Sequence, residues 1–241
     1  MEIVSASMAT LSLMNIDLHN RLQVANAHKR VLDLDLLIYR QGPLFINNLT
    51  LAEFTLKVSG EYLSILTNVH SAVSRRKSLA STTPQHNSSC LTSRASPGSL
   101  TTPMTLAMTS IFVQLLDLYE LDIECLLARL EIFKAEPTAP MSPPDALFPA
   151  YNAHPGVQGM LFVRAIHNLL QRLEVLLGIS LSPERVDGLL SSRQMHTLWN
   201  EMSDDFGSSV TRPDSIKSSM REAISGFTSL LGMQGVYGLT A

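Results

Sequence analysis

Side chains that do chemistry must be brought together, and their spacing along a chain is the first sign that they are. Of the seven histidines in this 241-residue sequence, none lies in a His-Glu-x-x-His arrangement, which would place two imidazoles on one helix face for zinc. The two cysteines, Cys90 and Cys125, are far apart in the chain, and neither has a second cysteine close enough for a metal knuckle. A disulfide framework is not indicated either, which suits a reducing compartment. The segment "SPPDALFPAYNAHPGVQGMLF" (142–162) offers His154 as a proton donor beside Tyr151, with His167 further on, and loops do carry catalysis. Its prolines and glycine, Pro143, Pro144, Pro149, Pro155 and Gly156, are also what any turn-rich connector uses, and the connector is the reading adopted.

Other candidates have a plain reading beside the chemical one. Asp204 and Asp205 resemble the acidic pair with which helical terpene cyclases hold magnesium, but no further acid follows at helical spacing, so a solvated helix end is expected. Asp33 and Asp35 are two apart and diverge on a helix, which is wrong for sharing a proton. Gly232, Gly235 and Gly238 follow no strand and open no helix, so "GMQGVYG" is expected to be a loose tail and not a phosphate cradle. "SRRKS" (74–78) sets Arg75, Arg76 and Lys77 beside hydroxyls, either a nuclear-import or phosphorylation signal or simply cations at a helix end. Cys125, in a long apolar run, acts as a small apolar residue. No catalytic, cofactor-binding or metal-ligating residue is assigned, and the expectation is that the protein is not an enzyme.

The elements that would position such groups are helices. Thr50 followed by Glu53 makes a capping box that starts a helix. Leu51, Phe54, Val58, Tyr62, Ile65, Val69 and Val73 then share one face, and Glu53, Lys57, Glu61 and Ser64 the other. Leu11, Met14, Leu18 and Leu22 mark an earlier amphipathic helix, and 32–39 a further one ending before Gly42 and Pro43. The run 104–133 has only a narrow polar stripe, Ser110, Gln114, Asp117, Glu120, Glu124 and Glu131, and is expected to be the central helix. In 157–177, Leu161, Ile166, Leu169, Leu173 and Leu176 are expected inward, with Arg164, Gln171, Arg172 and Glu174 outward and Gly178 as the stop. Ser182 with Pro183 and Glu184 should start a helix through Leu190 toward Trp199. The last helix is expected over 213–231, with Ile216, Met220, Ala223, Phe227 and Leu230 on one face.

The fold class expected is all-α, an irregular helical bundle with a disordered Ser/Thr-rich linker, because no stretch alternates with the period of a strand. The linker is placed at 74–103, where thirteen of thirty residues are Ser or Thr. It divides an N-terminal helical segment, 1–73, from a main bundle, 104–206, and a C-terminal helix with its Gly-rich tail, 207–241. With 18 basic and 21 acidic residues the net charge is −3, too little positive field to hold nucleic acid directly. The content is 45% apolar and 16% charged, which leaves some apolar surface for a partner to cover. The N-terminus lacks the basic region of a secretory signal, and the most apolar run, 104–116, falls short of the ~20 residues a membrane span needs, so an intracellular soluble protein is expected.

In combination and in order, four stretches carry a resemblance: "LSLMNIDLH" (11–19), "GPLFINNLTLAEFTLKVSGEYLSIL" (42–66), "TPMTLAMTSIFVQLLDLYELDI" (102–123) and "VQGMLFVRAIHNLLQRLEVLLGI" (157–179). Together they resemble the region C-terminal to the DNA-binding domain in fungal zinc binuclear cluster transcription factors, of the type that regulates secondary-metabolite genes. The six-cysteine element that defines that family is absent here, so the resemblance carries no zinc ligand and no DNA-reading residue onto this chain. It implies a regulatory or effector region, a nuclear setting and action by protein contact. The partners it implies are proteins or a missing DNA-binding domain, with no direct nucleic acid binding, no membrane and no cofactor, and a homo-oligomer is compatible with it. The alternatives are a small helical enzyme around Tyr151, His154 and His167, or a non-functional fragment of a regulator gene.

Overall fold

The computed structural model describes residues 2–29, 37–38, 40, 42–81, 100–135, 155–179, 188–202 and 211–237. Most of them fall in six α-helices: α1 Glu2–Ala27, α2 Leu51–Ser81, α3 Thr102–Ala135, α4 Pro155–Leu177, α5 Ser192–Met202 and α6 Arg212–Tyr237. No strand occurs among the described residues, where a single isolated bridge joins Ile46 to Leu49. The fold is all-α.

At 34 residues α3 is the longest helix, and it touches each of the other five. Its apolar side chains explain this. Met104, Met108, Ile111, Phe112, Leu115, Leu116, Leu118, Tyr119, Leu126 and Leu130 are buried and spread round most of the helix circumference. A helix apolar on so many sides can only sit at the centre. The neighbours are oriented by their polar contacts. Asn15 meets Ser110 and Gln114 while Lys29 meets Glu124, so α1 runs parallel to α3. Tyr62 reaches Met108 and Ser59 reaches Tyr119, so α2 runs antiparallel to it. In the same way Arg212 reaches Asp117 and Gly226 lies against Leu130, so α6 is parallel to α3.

Helix starts follow the sequence signals closely. The Thr50 amide donates to Glu53 Oε2 at 3.0 Å and the Glu53 amide to Thr50 Oγ1 at 3.1 Å, the reciprocal box expected. Leu51, Phe54, Val58, Tyr62 and Val69 are buried and Ile65 and Val73 half-buried, whereas Lys57 and Glu61 face solvent. In α1, Leu11, Met14, Leu18 and Leu22 are buried as their spacing predicts. Leu37 and Ile38 are helical and buried, while the rest of the helix expected at 32–39 lies outside the described residues.

Four expectations need correction. Helix α2 continues to Ser81, eight residues into the stretch assigned to a linker; residues 82–99 lie outside the described set. The helices on either side of that stretch share one hydrophobic core. Helix α4 buries Ile166 and Leu173 and exposes Arg164, Gln171 and Arg172 as expected, but its buried face is shifted: Leu161 is 39% exposed, Leu169 and Leu176 are half-buried, Phe162, Val163 and Leu170 are buried, and Glu174 is only 5% exposed. Its apolar face is wide enough to admit both rotations. The choice falls to α6, whose Phe227 ring packs on Gly159, where any Cβ would come within 2.6 Å of it, and whose Lys217 neutralises Glu174.

The helix expected to pass through Leu190 is instead interrupted. Residues 188–190 are non-helical, and the amides of Leu189 and Leu190 donate to the carbonyls of Leu176 and Leu177. They satisfy end groups of α4 that a helix leaves open. Gly178 terminates α4 with φ +86°, and Gly188 crosses it so closely that a Cβ there would lie 2.3 Å from the Gly178 Cα. Helix α5 starts afresh at a second capping box, in which the Ser191 amide donates to Gln194 Oε1 at 2.9 Å; Ser182 lies outside the described residues. Helix α6 runs through Gly232 and Gly235 to Tyr237, so that part of the expected tail is helical. Each interior glycine weakens a helix by roughly 1 kcal/mol without breaking it.

Candidate functional site

The strongest concentration of polar groups inside the fold lies between α2 and α3. Thr55, Ser59 and Tyr62 stand at helical spacing on the inner face of α2, opposite Tyr119 and Asp122 of α3, and all five are fully buried. The Tyr119 hydroxyl donates to Ser59 Oγ at 2.8 Å, and Ser59 donates in turn to the Thr55 carbonyl at 2.6 Å. Tyr62 donates to the Met108 carbonyl at 2.7 Å. Burial pushes both phenols above the ordinary range, so they stay protonated and act as donors.

Asp122 is the group this network does not satisfy. Neither carboxyl oxygen receives a hydrogen bond, and the residue is fully buried. Thr55 is the hydroxyl in reach, but its proton is given to the Leu51 carbonyl at 3.0 Å. With that proton engaged, Thr55 supports an ionised Asp122 only weakly, and burial outweighs it. Burial raises its pKa to about 7, with Thr55 opposing the shift. The chemistry available there is protonation of the core.

A second set of polar contacts ties α6 to the bundle. Arg212 donates to Glu120 at 2.7 Å and 2.6 Å and also contacts Asp117, so the middle of the polar stripe of α3 is half-buried while Glu124 and Glu131 stay exposed. These hydrogen bonds raise the guanidinium's pKa above its ordinary value. Lys217 bridges Glu174 at 3.1 Å and Asp214 at 2.8 Å. Burial raises the Glu174 pKa and Lys217 partly offsets it, while the hydrogen bond from Lys217 lowers that of Asp214.

A third feature fixes the loop before α2. Arg21 of α1 is buried, its guanidinium 4.4 Å from the centroid of the Phe54 ring. It donates to the carbonyls of Ile46 at 2.5 Å and of Leu44 and Leu49 at 3.3 Å. Those carbonyls belong to a turn in which Asn47 and Asn48 both have positive φ, a conformation asparagine tolerates better than most residues.

The family model of the CcsR C-terminal domain matches residues 2–234. The chain belongs to that family. Among curated proteins and solved structures, none matches it significantly. The match covers five helices of this CcsR C-terminal domain in full and α6 up to residue 234, and supports a regulatory protein.

Of the three residues of the catalytic alternative in this CcsR C-terminal domain, only His167 is among those described. His167 sits half-buried on α4 with its pKa lowered by burial and by Arg221 and Lys217. Tyr151 and His154 lie outside the described residues, as do Cys90, Asp33, Asp35, Asp204, Asp205 and Gly238. Cys125 is buried among apolar neighbours. Among the described residues no three His, Cys, Asp or Glu side chains cluster to hold a metal ion, and no helix is long and apolar enough to cross a membrane. The α2/α3 network was missed in the sequence reading, although a signal existed: Asp122 falls off the polar stripe, four residues after buried Leu118 and three before buried Cys125. On the outer surface, Leu13 is 70% and Ile16 58% exposed on α1, with Leu106 of α3 also exposed.

Proposed function

We propose that this CcsR C-terminal domain is the effector region of a fungal transcription regulator of the zinc binuclear cluster type, working on secondary-metabolite genes in the nucleus. The reading rests chiefly on the family match across residues 2–234. In it the domain works by protein contact, without catalysis, cofactor or direct contact with DNA. Exposed Leu13 and Ile16, adjacent on the outer face of a helix that carries little charge, support contact with a protein partner. The acidic balance of the chain supports delegating DNA to another domain.

The test is to fuse the chain to an unrelated DNA-binding domain in a fungal host carrying a matched reporter. The proposal expects reporter transcription to change, in either direction, while the isolated chain shows no specific duplex DNA binding at physiological salt. A stable nuclear fusion that leaves the reporter unchanged would sink it.

A further inference from the structure

We propose that Ser78 is a phosphorylation site for an arginine-directed protein kinase, and that the added phosphate loosens the end of α2. The sequence Arg75-Arg76-Lys77-Ser78-Leu79 places guanidinium groups three and two residues before the hydroxyl. Kinases that select by charge read such a pattern, because acidic groups along their peptide groove pair with arginines at fixed distances from the acceptor. In the whole chain only two hydroxyl residues follow an arginine by three positions, Ser78 and Ser215. The structure separates them. Arg212, which precedes Ser215, is tied to Glu120 and Asp117, so its guanidinium is already engaged. Arg75 is exposed and donates to the Ser71 carbonyl of its own helix at 3.3 Å.

Access favours Ser78 for a second reason. A kinase takes its substrate as an extended stretch, so the helix around the acceptor must open. Beyond half-buried Val73 no described side chain of α2 is buried, Ser74, Arg75 and Ser78 all being exposed. Exposed positions such as these add little packing for an opening helix end to lose. Ser78 lies three residues before the helix ends at Ser81, and its hydroxyl donates to the Ser74 carbonyl at 3.3 Å.

The reaction is a phosphoryl transfer from ATP. A bond forms between Ser78 Oγ and the γ-phosphorus, the bond from that phosphorus to the β-bridging oxygen breaks, ADP leaves, and the hydroxyl proton passes to the kinase's carboxylate base. The product puts nearly two negative charges on the final turn of α2, where the helix dipole is already negative and the nearest cations, Arg75 to Lys77, stand before it. The hydroxyl also loses the proton it donates to Ser74. Both effects oppose the helical form of residues 75–81 and leave the packed part of α2 untouched.

The experiment treats the intact chain with Mg-ATP and the catalytic subunit of a cyclic-AMP-dependent protein kinase, and maps the phosphate by tandem mass spectrometry. The expected product is phosphoserine at 78. Ser78→Ala should abolish it and Ser215→Ala should leave it unchanged, while Arg75→Gln with Arg76→Gln should slow it by at least about tenfold, since recognition is by charge. Failure to modify Ser78, or preferential modification of Ser215, overturns the site. Amide hydrogen exchange then tests the consequence: protection should fall across 75–81 and hold across 54–69. Equal protection in the two forms overturns the claim that the phosphate loosens the helix.

Discussion

Replacing Asp122 by asparagine should make the protein less sensitive to rising pH, and the structure sets the size of the effect. The native carboxyl is buried without a donor and has a pKa of about 7, against 3.8 for an ordinary aspartate. Between those values the folded state holds a proton that the unfolded chain has released. Stability therefore falls as pH rises through this window and levels off above about 7. At roughly 1.4 kcal/mol per pH unit, the full penalty is about 4 kcal/mol, and the part lost between pH 5 and pH 8 is about 3 kcal/mol. Asparagine has similar shape, does not titrate here, and its amide can donate to Thr55 Oγ1. Urea melts of wild type and Asp122→Asn at pH 5, 6, 7 and 8 give the comparison, because other titrating groups cancel in the difference. The variant's advantage should grow steadily from pH 5 to pH 7 and then flatten. An advantage that is constant across the range would refute a protonated core carboxyl.

Three further outcomes test the packing. Val58→Asp should destabilise the fold by roughly 3 kcal/mol or more, since it buries an unpaired charge between Phe54 and Tyr62, whereas Lys57→Asp on the solvent face should do little; equal melting temperatures would contradict the assigned face. Lys217→Met should cost about 3 kcal/mol at pH 7 by stranding Glu174, with the loss shrinking as pH falls and that carboxyl takes up a proton; a loss independent of pH would count against the pairing. Gly188→Ala should lower the thermal midpoint, because its Cβ would meet the Gly178 backbone, while Gly60→Ala, with open space around it, should not.

Much of the fold was legible because local chemistry and burial agreed. Thr50 and Glu53 mark the start of α2 by their identities alone, and the residues spaced along its face are the ones that pack. Helix α3 reads as central because its polar stripe is too narrow for a surface helix. The rotation of α4 was not legible. Its apolar residues fill so wide an arc that the partner helix decides, and Glu174 looks like a surface residue until Lys217 of α6 is placed beside it. The break at 188–190 depends on Gly188 meeting Gly178, a contact between backbones that composition does not announce. The α2/α3 polar network was partly hidden for a similar reason. Thr55 and Ser59 pass as neutral fillers in a helix pattern, and their burial follows from the aromatic hydroxyl that faces them.

The central claim is that a folded helical domain of a regulator acts through contact with a protein. Its most direct test is reporter transcription driven by the fusion in three forms: wild type, Val58→Asp to disrupt the fold, and Leu13→Lys with Ile16→Lys to charge the outer face of α1. With all three fusions expressed to equal level in the nucleus, the account predicts a reporter change for wild type and its loss in both variants, the α1 variant melting like wild type. Unaltered reporter activity from the Val58→Asp form, shown to be unfolded, would contradict the claim.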